Sequence, residues 1–196
     1  QCHPGSGRRR RLSRVECKAV TVTPNGLNVF GMLPELLAKA FDVLASKLVE
    51  ETIDLSKEAV PPRSIAVLVN RVAVARKVED LLTRHFPAEQ ITLLIGRMRP
   101  FDRDDITSAL RAELKTRHPC ESASFVGGAG PRIVVATQCL EVGADFDFDA
   151  LVTECASLDA LRQRFGRLDR RGERGESRGI VLGRSDDVSG RSEDPV

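Results

Sequence analysis

The chain has 196 residues, 41% of them hydrophobic and 30% charged, with 30 Lys and Arg against 28 Asp and Glu. A net charge of +2 excludes a histone-like polybasic protein, and the length suits one domain, or one domain with tails. No apolar run approaches the roughly 18 residues that cross a bilayer, and Arg8, Arg9, Arg10 and Arg11 are not followed by the apolar stretch of a signal peptide. Residues 1–33 read as a linker, with a basic cluster and breakers at Pro4, Gly5, Gly7, Pro24 and Gly26. A β-prone run at 20–23 is a candidate strand. Pro34 then opens an amphipathic helix over 34–51, with Leu37, Phe41, Leu44 and Leu48 at helical spacing.

From residue 65 strands alternate with helices. The continuous apolar run 65–69 predicts a strand buried on both faces. A helix over 72–86, a strand over 91–95 and a helix over 102–117 with Asp102 as N-cap follow. Strands at 133–136 and 150–153, a helix from Ser157 to about Arg171, and a last strand at 179–182 complete the pattern. Such alternation predicts an α/β fold with a doubly wound, mostly parallel sheet. Residues 185–196 read as a polar tail.

Cysteine use points to a reducing, cytoplasmic compartment. Cys2, Cys17, Cys120, Cys139 and Cys155 are odd in number and form no C-x-x-C pair, which argues against a disulfide framework or a zinc ribbon. His3, His85 and His118 are scattered and form no metal set. With no Trp and no Tyr, a base-stacking platform would rest on Phe alone. The chain begins with Gln1 rather than Met and is read as a fragment.

Two stretches carry the chemistry. In 158–172, LDALRQRFGRLDRRG, a helical projection puts Leu158, Leu161, Phe165 and Leu168 on one side. Gln163, Arg167 and Arg170 fall on the other, as one amide and two guanidiniums. Fixed arginine forks suit the oxygens of a triphosphate. Gly166, expected mid-helix at a cost of ~1 kcal/mol, suggests a close approach by a ligand or another backbone. A solvated basic face is the plainer reading. In 133–149, IVVATQCLEVGADFDFD, a buried strand delivers Thr137 and Gln138 to its carboxyl end, where ligands bind in open α/β sheets. That hydroxyl and amide suit a nucleic-acid phosphate. Asp145 reads as an orienter of a water or an arginine, with Asp147 and Asp149 capping loops.

Thr137 and Gln138 with Gly143 and Asp145 resemble motif V of superfamily 2 helicases and translocases. Gln163, Gly166, Arg167 and Arg170 resemble motif VI, and residues 65–70, IAVLVN, resemble motif IV. Residues 94–105, LIGRMRPFDRDD, are similar to a segment of type I CRISPR-associated helicase–nucleases. The wording of the two motif stretches is close to the same family, nearest its I-U (I-G) branch. Asp194, Pro195 and Val196 resemble the start of a tail motif in that branch.

The resemblance implies a RecA-like P-loop NTPase fold over 61–184, the second helicase lobe, after an interlobe linker at 1–60. ATP and Mg²⁺ would be shared with a first RecA-like lobe. A His-Asp nuclease domain, single-stranded DNA and a CRISPR interference complex would be the partners, with no membrane. Arg170 would be the arginine finger, with Arg167 and Gln163 beside it. Gly143, Asp145 and Gly166 would line the nucleotide, while Thr137, Gln138 and Arg97 would meet nucleic acid, with Arg99 and Arg103 near Arg97. The chain holds no G-x-x-x-x-G-K-[ST] loop and no D-E-x-H box, so alone it is expected to be inactive. Gly127, Gly128, Ala129 and Gly130 lead into Pro131 and read as a mobile loop instead. Two other readings stay open: a superfamily 2 translocase outside CRISPR defence, and a non-catalytic module that binds nucleic acid or protein.

Overall fold

The computed structural model describes residues 14–20, 34–96, 100–115, 130–140, 146–170, 172 and 177–184. Six strands form one sheet: β1 (Arg14–Val20), β2 (Ser64–Leu68), β3 (Ile91–Leu94), β4 (Arg132–Ala136), β5 (Ala150–Glu154) and β6 (Arg178–Arg184). Their order across the sheet is β1-β6-β5-β2-β4-β3, and every pairing is parallel. The helices are α1 (Pro34–Ser56), α2 (Val72–Leu82), α3 (Pro100–Lys115) and α4 (Leu158–Phe165). The expected doubly wound α/β architecture is present, and the sheet is wholly parallel.

Strand alternation divides the core between two faces. On β2, Ile65 and Val67 pack with Leu48 and Leu55 of α1 and with Val74, Val78 and Leu82 of α2. Ala66 and Leu68 face the other way, against Leu110 of α3, Phe146, Phe148 and Leu168. Every residue of β2 is buried, which is why it reads as a continuous apolar run rather than an alternating one. Asp149 fixes where β2 starts: its Oδ2 accepts the N–H groups of Arg63 (2.6 Å) and Ser64 (3.2 Å).

Several boundaries differ from the sequence reading. α1 continues past Glu51 to Ser56, because Thr52 and Leu55 extend its buried stripe. The first strand is Arg14–Val20 rather than 20–23, and its place is set by its register with β6, Arg14 opposite Arg178. β1 thus pairs with β6, and α1 packs on one face of the sheet. α2 stops at Leu82, shortly before Pro87, whose ring disfavours helix at the residue ahead of it. α3 begins at Pro100, so Asp102 lies inside the first turn instead of capping it. The last strand is longer than 179–182 at both ends. Residues 185–196 and 127–129 lie outside the described residues.

α4 is placed by three contacts. Ser157 caps it as expected, its Oγ accepting the Ala160 N–H at 3.4 Å. Arg164, only 1% exposed, points back along the helix toward the ends of the strands. Its Nη1 donates to Thr153 Oγ1 (2.9 Å) and to the Glu154 carbonyl (3.0 Å), and its Nη2 to Asn70 Oδ1 (2.8 Å). Next to Arg164 at the C-terminal end of α4, the Phe165 ring lies over Gly179 too closely to leave room for a Cβ there.

Two substitutions test this placement by urea unfolding. Arg164→Met removes the fork and strands buried acceptors, and should lower stability by about 3 kcal/mol with an unchanged m-value. Arg164→Lys should recover little, since one ammonium cannot reproduce the planar fork. Gly179→Ala should destabilise by roughly 1–3 kcal/mol through overpacking against Phe165, and Phe165→Leu in the same chain should relieve part of it. A wild-type midpoint for either single variant contradicts the placement.

Candidate functional site

A wholly parallel sheet has one carboxyl rim and one amino rim, and the candidate residues divide between them. Ala136, the end of β4, pairs with Leu68, whereas Ala150, the start of β5, pairs with Ile65. Those β2 positions are about 10 Å apart along the strand. Thr137 and Gln138 therefore leave from the carboxyl rim, and residues 147–149 enter β5 at the amino rim. α4 starts after β5 at the carboxyl rim and runs back toward the amino rim, delivering residues 166–170 beside Phe148.

The carboxyl rim is tightly hydrogen-bonded. Asn70 N–H donates to Glu154 Oε2 and Asn70 Nδ2 to the Cys155 carbonyl, both at 2.8 Å. Arg164 holds the opposite side of the same Asn70 amide. Thr137 is 8% exposed, its N–H bonded to the Leu94 carbonyl at 3.2 Å and its Oγ1 3.8 Å from Cys139 Sγ. The hydroxyl expected to face a phosphate is thus turned into the short turn at Gln138–Leu140, and Gln138 is the exposed side chain of the pair. Arg97, Arg99, Gly143 and Asp145 lie outside the described residues, as does the side chain of Arg103.

The amino rim corrects the expected helix. α4 ends at Phe165, and Gly166 is its C-cap in helical conformation (φ −65°) rather than a mid-helix residue. A Cβ at Gly166 would sit 3.2 Å from the carbonyl oxygens of Arg162 and Gln163, so its own last turn already crowds the position. Leu158, assigned to the packed side, is 74% exposed. The buried member of the helix is Arg164, which shares the Leu161 and Leu168 face by spacing. Gln163, Arg167 and Arg170 consequently do not share one helix. Gln163 is exposed near the end of α4, Arg167 is half-buried in the turn that follows, and Arg170 is exposed beyond it.

That turn is held by the strand entering β5. Phe148 and Leu168 form a parallel bridge. Phe148 N–H donates to the Arg167 carbonyl, and Asp169 N–H to the Phe148 carbonyl, both at 2.8 Å. Asp147 Oδ1 accepts the Arg170 N–H at 2.7 Å. Asp169 adopts φ 40°, the left-handed region that Asp tolerates better than most residues.

Among the described residues, no group of three His, Cys, Asp or Glu side chains could hold a metal ion. The exposed amide of Gln163 and guanidinium of Arg170, by contrast, suit the oxygens of a polyphosphate. A separate cavity of about 500 Å³ lies between α2, α3 and β3, lined by Glu79, Leu93, Ile106, Leu110 and Arg132 among others, and includes none of the predicted site residues. No helix among the described residues is long and apolar enough to cross a membrane.

A family model described as CRISPR-associated nuclease/helicase Cas3, C-terminal, matches residues 62–173. A CRISPR-associated nuclease/helicase Cas3 of Streptococcus thermophilus is 49% identical over 124 residues, covering 62% of this chain and 12% of that protein. A CRISPR-associated endonuclease/helicase Cas3 of Thermus thermophilus is 35% identical over 118 residues, covering 58% of this chain and 10% of that protein. The crystal structure of T. fusca Cas3 is similar with a TM-score of 0.65 at 22% identity, over 95% of this chain and 20% of that one, which shows a common fold. The chain thus spans a small part of the length of these relatives. Since the match runs from the start of β2 through the turn after α4, and so includes both rims and the residues on them, the chain belongs to the C-terminal family of the CRISPR-associated nuclease/helicase Cas3.

Proposed function

We propose that this chain is the second motor lobe of an ATP-dependent DNA helicase or translocase acting in CRISPR interference. The observation that carries the reading is the amino rim, where exposed Gln163 and Arg170 flank half-buried Arg167 in a turn pinned to the sheet. Side chains presented in this way can be completed by a first lobe that brings the nucleotide. Solved T. fusca Cas3 structures are described with ADP, ATP and AMPPNP. In this chain, Arg170 is assigned the finger that stabilises charge on the transferring γ-phosphoryl group. Arg167 is assigned a phosphate and interlobe contact, and Gln163 a hydrogen bond on the same side. Gly143, Asp145 and Gly166 complete the nucleotide side in the motif reading.

The phosphate-cradling loop and the Mg²⁺ carboxylates belong on this reading to a first RecA-like lobe, joined through residues ahead of β2. Nucleic acid is assigned to the carboxyl rim, with Gln138, Thr137 and Arg97 contacting phosphates without reading bases. Thr137 would have to rotate away from Cys139 to take part. A neighbour of similar fold belongs to a CRISPR RNA-guided surveillance complex, pre-nicking, with a TM-score of 0.53. A complex of that kind, a His-Asp nuclease domain, single-stranded DNA and a cytoplasmic setting are the partners and place proposed here. The I-U (I-G) branch is proposed on the wording of residues 137–149 and 161–172 and on residues 194–196.

Two measurements test this function. In the full-length protein with DNA saturating, Arg170→Ala should lower kcat for ATP hydrolysis by ~10³ or more, with DNA affinity in the absence of nucleotide unchanged. Arg170→Lys should restore little. A folded Arg170→Ala protein that hydrolyses ATP at the parent rate overturns the assignment. The isolated chain should hydrolyse no ATP above background. It should bind single-stranded oligonucleotides weakly, with anisotropy that falls steeply as salt rises and does not depend on base sequence. Salt-independent or sequence-selective binding contradicts the carboxyl-rim assignment.

A further inference from the structure

Past Gly166 the helical ladder gives way to shorter backbone bonds, Arg167 N–H to the Arg164 carbonyl (3.0 Å) and Leu168 N–H to the Phe165 carbonyl (3.2 Å), and the N–H groups of Asp169 and Arg170 turn to Phe148 and Asp147. Asp169 then takes a left-handed backbone conformation that helical neighbours cannot stabilise. Three hydrogen bonds with the residues entering β5 hold the turn to the sheet. Two are backbone bonds with Phe148. The third is the Asp147 carboxylate, whose Oδ1 takes the N–H of Arg170 itself at 2.7 Å. A carboxylate acceptor makes this the strongest type of the three, and its length is in the charge-assisted range. It is also the only one of the three that a side-chain substitution can remove.

Fixing the N–H of Arg170 fixes the origin of its side chain. A long side chain on a fixed Cα reaches one region of the cleft, whereas on a mobile turn it samples many. Asp147 lies among the residues that enter β5 at the amino rim. The carboxylate thus connects the start of β5 to the residue assigned to the phosphoryl group. We infer that Asp147 is a positioning residue for Arg170: its carboxylate holds the turn so that the guanidinium is aimed before the nucleotide arrives. The inference rests on the reading of Arg170 as the finger.

The test uses the full-length protein and reads kcat, KM for ATP and DNA affinity separately. Asp147→Ala should lower kcat by roughly 10²-fold, the scale of a misplacement of about 1 Å, and leave KM and DNA affinity near the parent values. Asp147→Asn retains an acceptor oxygen at the same reach and should restore most of the lost kcat. Asp147→Glu keeps the charge but moves the acceptor by one methylene, and should restore little. In an Arg170→Ala background, Asp147→Ala should cost nothing further. If Asp147→Ala does not fold, the Asn and Glu variants decide: activity kept by Glu and lost by Asn overturns the proposal, because charge and not acceptor position would then matter. A parent kcat in folded Asp147→Ala, or an additional loss of full size in the Arg170→Ala background, overturns it as well. Parent activity in Arg170→Ala alone overturns instead the finger reading on which the inference rests.

Discussion

A single buried guanidinium organises the rim on which this lobe depends. Arg164 is the largest fully buried side chain of the described residues, and its fork takes acceptors from β5, from the residue after β5's hydroxyl and from the loop after β2. Burying a permanent charge costs several kcal/mol unless its donors are met. Here Nη1 and Nη2 donate to one hydroxyl, one carbonyl and one side-chain amide oxygen, and Asn70 is itself held by Glu154 and Cys155. The result is a polar joint between α4 and the sheet in a place where an apolar side chain would allow the helix to slide or rotate. Such a joint specifies a position more sharply than it adds stability.

From that joint the two ends of the sheet acquire different tasks. The all-parallel arrangement puts the ends of β2, β4 and β5 on one side, and α4 carries the chain back to the other. Thr137 and Gln138 lie where strands finish, and the Arg167–Arg170 turn lies where β5 begins. A motor lobe needs its nucleotide and nucleic-acid contacts separate but mechanically joined, and on the proposed reading the Phe148–Leu168 bridge makes the second connection while Arg164 makes the first.

The strands and most helices were legible because their signals are local or repeat within one element. The buried run of β2, the alternation of β4 and β5 with helices, and the Ser157 cap all announce themselves in a few residues. The misreadings come from effects that no short window contains. β1 shows period-two alternation, with Val15, Cys17 and Ala19 between Arg14, Glu16 and Lys18, but basic residues and nearby breakers masked it until its partner β6 was known. The end of α4 was missed because Leu168 continues the 3.6-residue apolar spacing, yet it packs from a turn bridged to Phe148. Arg164 was visible in principle as one charged residue inside that apolar stripe. Its role required acceptors from Asn70 and Thr153, distant in sequence. Thr137 follows the end of β4, as its place after the apolar run predicts, while the direction of its hydroxyl, 3.8 Å from Cys139 Sγ, is not written in that run.

The central claim is that one lobe offers a nucleotide face at its amino rim and a nucleic-acid face at its carboxyl rim. Hydrogen–deuterium exchange on the full-length protein tests this most directly, with AMPPNP alone, single-stranded DNA alone, and both. AMPPNP alone should slow amides of residues 163–170 and leave 137–140 near the apo rate. DNA alone should slow 138–140, with smaller changes in the 163–170 turn. Protection of 163–170 by DNA but not by AMPPNP, or no response of that turn to nucleotide in a protein that hydrolyses it, would contradict the account.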